Sequence, residues 1–185
     1  MNQFNSLLSL ASNIAGEQFL NKQQPGIWMV TGPRGIGKTR FCKTLYAKLD
    51  HLYLSLGGVI SNARMENGHK TGIFLRNLIT GQQQLLGTRG TSDGFAVQVG
   101  WWYFNPEVLR WGNECLKAAA GSDVVIFDEC GFLELEHGEG LQFGLKLFDD
   151  RDFKLGIVVV RPSLLSIAQK RWPEAVVINL DEELL

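Results

Sequence analysis

Cysteine is scarce in this chain and poorly placed for cross-linking. Cys42, Cys115 and Cys130 are the three in 185 residues. The number is odd, the spacing is wide and no CxxC pair occurs, which argues against a disulfide framework or a zinc site. Such cysteines are expected as small buried hydrophobes in a reducing compartment. A surplus of one charge is also missing. With 18 Lys+Arg against 19 Asp+Glu the formal net charge is −1. No long-range basic field exists to attract a nucleic acid or an anionic membrane. No apolar run approaches the roughly 18 residues that span a bilayer. The stretch from Met1 to Gly26 has no basic region ahead of its apolar residues, so no secretory signal is expected there. These absences predict a cytoplasmic protein with no nucleic-acid partner and no membrane association. The three histidines, His51, His69 and His137, are far apart. Glu134, Glu136, His137 and Glu139 lie close together but lack a metal-ligand spacing.

What is present is glycine, at 21 residues, and an ordinary balance of 45% hydrophobic and 20% charged residues. That balance fits one soluble unit with a sizeable core. Phe4, Leu7, Leu8, Ala11, Ile14 and Ala15 recur at three- and four-residue spacing and predict an amphipathic helix over 1–24, packed on a single domain covering 25–185. Ile27 to Val30 reads as a buried strand and 38–49 as a helix carrying Phe41, Leu45 and Leu49 on one face. Residues 51–104 hold short β-like runs, at His51 to Ser55, Gly72 to Leu78 and Phe95 to Phe104. The turn dipeptides Asn67-Gly68 and Thr80-Gly81 fall between them, which predicts an antiparallel β insertion. Alternation resumes after Pro106: helices over 106–120, 138–149 and from Pro162 to about Lys170, and strands at Val124 to Phe127, Leu155 to Val160 and Ala175 to Asn179. Strands alternating with helices imply an α/β fold with a mainly parallel sheet flanked by helices.

Gly32-Pro33-Arg34-Gly35-Ile36-Gly37-Lys38-Thr39 matches the phosphate-loop pattern G-x-x-x-x-G-K-[ST]. A chain of this length carries that pattern by chance on the order of once in 150, and here a strand precedes it and a helix follows. Its glycines let backbone N–H groups converge on phosphate oxygens, and the helix that follows adds its positive end. Lys38 is placed to reach the β- and γ-phosphates, and Thr39 offers a hydroxyl to Mg²⁺. Arg40 follows directly and joins the nucleotide-contact candidates. The run Val124 to Phe127 ends in Asp128-Glu129, at the strand edge where ligands collect in open α/β sheets. Asp128 suits a metal, directly or through water. Glu129 suits the orientation or deprotonation of a water aimed at the γ-phosphate.

At this point the chain resembles the THEP1-type nucleoside-triphosphatases. The resemblance rests on four blocks in order: VTGPRGIGKT, GGVISNARMENGHKTGIFLRNLITG, VGWWYFNPEVL and DVVIFDECGFLEL. It implies Mg²⁺-dependent hydrolysis of nucleoside triphosphates, ATP or GTP, with broad base selectivity, on a RecA-like P-loop core. It also implies phosphate and metal binding by Gly32, Gly37, Lys38 and Thr39, metal contact by Asp128, and water activation by Glu129. Arg64 falls in the block that carries the family's hairpin arginine, so it is the candidate to offset charge on the γ-phosphoryl group. Arg76 and Arg89 lie in the same segment. Arg161, at the end of its strand, is a second γ-phosphate or base contact. Glu134 matches a family acid; it also reads as a solvated loop carboxylate or a helix cap. The family's lysine and tyrosine after the third block's glycine are replaced here by Trp101 and Trp102, which marks a divergent member.

Two other functional classes use the same loop. A small-molecule or nucleotide kinase would seat its acceptor under the β insertion. A nucleotide-controlled interaction module would use the N-terminal helix or the Trp101-Trp102 region as its protein-contact surface.

Overall fold

The side chains of Ile27, Trp28, Met29 and Val30 are all buried, and they divide alternately between two cores: Ile27 and Met29 enter one, Trp28 and Val30 the other. A strand buried on both faces belongs inside a sheet with a layer on each side. The computed structural model describes residues 26–181 apart from 52, 53, 91, 93 and 96. The helix expected over 1–24 lies outside the described residues.

The elements run β1 (Gly26–Thr31), α1 (Lys38–Asp50), β2 (Leu56–Glu66), β3 (His69–Asn77), β4 (Gln83–Arg89), β5 (Val97–Val99), β6 (Trp102–Phe104), α2 (Pro106–Ala118), β7 (Val124–Cys130), α3 (Phe132–Leu135), α4 (Gln142–Asp150), β8 (Leu155–Val160), α5 (Leu165–Arg171) and β9 (Val176–Asn179). A 3-10 turn, Pro162–Leu164, leads into α5. Among the described residues nine strands form one sheet in the order β5-β6-β4-β3-β2-β7-β8-β1-β9. From β2 to β9 every neighbour is parallel, and from β2 to β5 every neighbour is antiparallel. The insertion read from the sequence therefore continues the same sheet rather than capping its end.

Helix α1 covers one face. Phe41, Cys42, Leu45 and Leu49 pack against Trp28, Val30, Ile126, Ile157 and Val159. Burying each large apolar side chain of that stripe contributes about 1.5–3 kcal/mol. Helices α2, α4 and α5 cover the other face through Val108, Leu116, Leu145, Phe148, Ala168 and Trp172. Helix α2 starts where Asn105 Oδ1 accepts the Glu107 N–H at 2.9 Å with Pro106 in the first turn, a well-formed N-cap.

Strand β2, at eleven residues, was not singled out by periodicity. Its first half is buried and its second half is largely exposed, so neither an alternating nor a continuous apolar run is present. The turn after it follows the sequence signal. Asn67 and Gly68 both take positive φ, at 49° and 77°, as a two-residue hairpin of this type requires. The helix expected from residue 138 begins at Gln142, because Gly138 and Gly140 both hold positive φ ahead of it. The β-like run from His51 to Ser55 precedes the strand, which opens at Leu56.

Candidate functional site

The turn from β1 into α1 is built by glycines. Gly32, Gly35 and Gly37 have φ of 134°, 85° and 110°, values that side-chain-bearing residues rarely adopt. Among the described residues no side chain caps α1, and no acidic residue stands in its first turn. Its N-terminal dipole thus faces the loop without a competing carboxylate from the helix itself. Lys38 Nζ donates to the carbonyls of Gly32 at 2.6 Å and Pro33 at 2.9 Å, so the ammonium spans the loop's own backbone. Burial lowers the Lys38 pKa, while Glu129 and Asp128 oppose that shift.

Asp128 and Glu129 face this loop from β7. Pairing with β8 aligns Phe127 with Val158 but Cys130 with Val160. Three steps on β7 thus oppose two on β8, which is a β-bulge. Glu129 sits in the bulge with φ 73°, a conformation that costs a non-glycine residue energy and recurs at functional sites. The bulge lets two consecutive residues address one site rather than opposite sheet faces. Asp128 is buried, and its Oδ2 accepts from Thr39 Oγ1 at 2.8 Å and from the Ser61 N–H at 3.1 Å. Burial first, then the Glu129 carboxylate, pushes the Asp128 pKa up to about 7, against the pull of the Thr39 and Ser61 hydrogen bonds. The hydroxyl and carboxylate form a hard-oxygen pair of the kind Mg²⁺ takes. An ionised, desolvated carboxylate in that pair gains from a dication beside it.

Glu129 is half-buried and lies between two cations. Arg161, just past the end of β8, places Nη2 3.4 Å from Oε2. Lys70, on β3, places Nζ 3.7 Å from Oε1 and lies over the Trp102 ring at 5.3 Å. Sequence reasoning missed Lys70. It follows the hairpin turn by two residues and pairs with Met65, beside an irregularity in the β2–β3 register. Arg64 forms an ion pair with Glu66 at 2.6 Å on the hairpin instead. The insertion thus brings Lys70, rather than Arg64, against Glu129.

Glu134 is buried and serves the backbone: Oε2 accepts from the Gly131 N–H at 2.9 Å and Oε1 from the Leu141 N–H at 2.8 Å. It holds the loop from β7 to α4 in place, the capping role read as one of its two alternatives. Burial raises its pKa. A cavity of about 290 Å³ opens beyond Glu129, between the β insertion and the β7–α4 segment. Arg34, Arg89, Trp101, Trp102, Glu129 and Arg161 are among its lining residues. Trp101 is 75% exposed at the surface, whereas Trp102 and Phe104 are half-buried and stack at 6.5 Å. Cys42, Cys115 and Cys130 are all buried and free. Among the described residues no group of three or more metal-ligating side chains converges, and no helix is long and apolar enough to cross a membrane.

Comparison with known proteins agrees with this geometry. Residues 28–182 match a family described as NTPase. Over 156 residues the chain is 28% identical to a nucleoside-triphosphatase THEP1 of Methanosarcina barkeri, covering 83% of this chain and 87% of that one. It is 31% identical over 128 residues to the protein of the same name from Thermofilum pendens, covering 66% and 67%. The solution structure of a human cancer-related nucleoside triphosphatase superposes with a TM-score of 0.61 at 20% identity, over 84% of this chain and 88% of that one, which supports the P-loop fold. The glycine loop on α1, the carboxylate pair on β7 and a family match spanning nearly every described residue lead to one conclusion: the chain is a divergent member of the THEP1-type nucleoside-triphosphatase family.

Proposed function

We propose that this nucleoside-triphosphatase hydrolyses ATP or GTP to the diphosphate and inorganic phosphate in a Mg²⁺-dependent reaction, with Glu129 as the group that activates water. The observation that carries this reading is the bulge in β7. It seats Asp128 on Thr39 at 2.8 Å while turning Glu129 toward Arg161 and Lys70. The phosphate chain lies along the loop Gly32 to Thr39, with Lys38 giving up its carbonyl partners for phosphate oxygens. Thr39 and Asp128 would hold the metal, which supplies charge neutralisation at the β- and γ-phosphates. Glu129 accepts a proton from water as the water oxygen bonds to the γ-phosphorus. The bond from that phosphorus to the β-γ bridging oxygen breaks, and the diphosphate leaves. Arg161 offsets negative charge on the transferring group from the β8 side, and Lys70 does so from the insertion, the part expected of Arg64.

The test is phosphate release across the four common nucleoside triphosphates, with no added acceptor, by wild type and Glu129→Gln. The expected outcome is retained nucleotide binding and a loss of turnover of about 10²-fold or more in the variant. Hydrolysis at the wild-type rate by Glu129→Gln would remove the water-activation role. Release that depends on an added hydroxyl compound would replace the hydrolase reading with a kinase.

A further inference from the structure

Attack by water needs room for one water molecule, whose share of liquid volume is about 30 Å³. The cavity that opens directly beyond Glu129 holds about 290 Å³, close to tenfold more and at the lower end of the range for small-molecule sites. Its character is not that of a water channel. Trp102, Phe104 and Phe132 supply aromatic walls. The polar groups are few and uneven in sign: Arg34, Arg89 and Arg161 against Glu129 and Glu134. Both carboxylates already have partners, Glu129 in Arg161 and Lys70, and Glu134 in two backbone N–H groups. Arg34 and Arg89, both exposed, therefore leave the rim positive. Arg89 sits opposite Trp102 in the β4–β6 pairing, so a cation and an aromatic face stand side by side at the opening.

We propose that this chamber is a second-ligand site for a small, flat, apolar molecule bearing an acidic group. The apolar body lies against the aromatic walls, where its burial drives binding. The acid faces the arginine rim, where a guanidinium gives paired hydrogen bonds to a carboxylate. Such a ligand would share Glu129 and Arg161 with the nucleotide's γ-phosphate end. That last point rests on the hydrolytic reading of Glu129, while the binding itself does not.

The test uses 1-naphthoate as probe on the nucleotide-free full chain, followed by calorimetry and tryptophan fluorescence. The expected result is saturable one-to-one binding with a dissociation constant of about 1 mM or tighter, the level that ordinary ligand efficiency gives a probe of about thirteen heavy atoms. Leu133→Trp, which fills the chamber, weakens binding about tenfold or more. Arg89→Ala, an exposed change with little bearing on folding, weakens it about fivefold and keeps the test decisive if the chamber-filling variant does not fold. Absence of saturable binding to wild type at 10 mM (roughly ten times the expected constant), or equal binding by wild type and Arg89→Ala, overturns the proposal. Phosphate release run in parallel separates the two readings. If Glu129→Gln still hydrolyses while the probe binds, the hydrolytic role falls and the ligand site stands.

Discussion

Asp128→Asn provides a test of the proposed metal-side carboxylate through stability rather than activity. In the folded chain Asp128 has a pKa of about 7 against an ordinary 3.8. Well below pH 3.8 both folded and unfolded chains carry the neutral acid, so the site costs nothing. As the pH rises from about 4 to 7 the unfolded chain ionises and the folded chain resists, and stability falls through that window. Above pH 7 both are ionised, and the full cost is about 4 kcal/mol. Asparagine keeps the shape and can point its oxygen at the Thr39 hydroxyl and the Ser61 N–H, the two donors that Asp128 Oδ2 now serves. It carries no charge. In chelator at pH 8 the variant is therefore expected to be more stable than wild type, with about 4 kcal/mol as the ceiling. A gain of about 2 kcal/mol already raises Tm by roughly 4–8 °C for a chain of this size. The assay is thermal unfolding followed by circular dichroism at pH 4, 6 and 8. The difference should be smallest at pH 4 and grow toward pH 8, and excess Mg²⁺ should close it by stabilising wild type alone. A variant that is less stable at pH 8, or a gap that does not change with pH, refutes the claim that burial of this charge outweighs its hydrogen bonds.

Other perturbations address the rest of the site. Lys38→Ala removes the ammonium that spans Gly32 and Pro33, and nucleotide binding measured by fluorescent-analogue titration should weaken about 10²-fold or more. Lys70→Ala should lower phosphate release about tenfold while Arg64→Ala changes it less than about twofold; the opposite ranking returns the role to Arg64. Gly58→Ala forces a Cβ to within 2.0 Å of the Ile126 carbonyl oxygen at a φ of 102°. That clash falls on the β2–β7 pairing, so urea unfolding should show a loss of about 3 kcal/mol or more, and an unchanged midpoint would contradict the register.

The parts of the site legible in the sequence were those defined by local pattern. The loop needs glycines at fixed offsets, and the strand ending in Asp128-Glu129 is a short apolar run with acids at its tip. Both signals are contained within eight residues. The insertion was legible only as β-rich, because β2 and β4 mix glycine, polar and apolar residues whose faces are fixed by partners rather than by alternation. Lys70 was illegible for the same reason. Its position is set by long-range pairing, beside a register irregularity next to Met65, and a lysine in a hairpin carries no local mark of its destination. The bulge at Glu129 was hidden as well. The sequence shows adjacent carboxylates, and an uninterrupted strand would have sent them to opposite faces. Glu134 could be assigned only once the Gly131 and Leu141 N–H groups were seen to converge on it.

Strand β2 belongs to both halves of the sheet. Leu56 to Val59 run parallel to β7, Val59 to Glu66 run antiparallel to β3, and Val59 takes part in both pairings. Two residues further on, the Ser61 N–H is bonded to the Asp128 carboxylate. The strand thus runs from the nucleotide core into the insertion without an intervening loop. A load applied to the hairpin, whether by a bound molecule or by a contacting surface, has a direct path along β2 toward Ser61, interrupted by the register irregularity at Arg64 and Met65. Ser61 is where that path enters the core, through the polar contact that fixes Asp128.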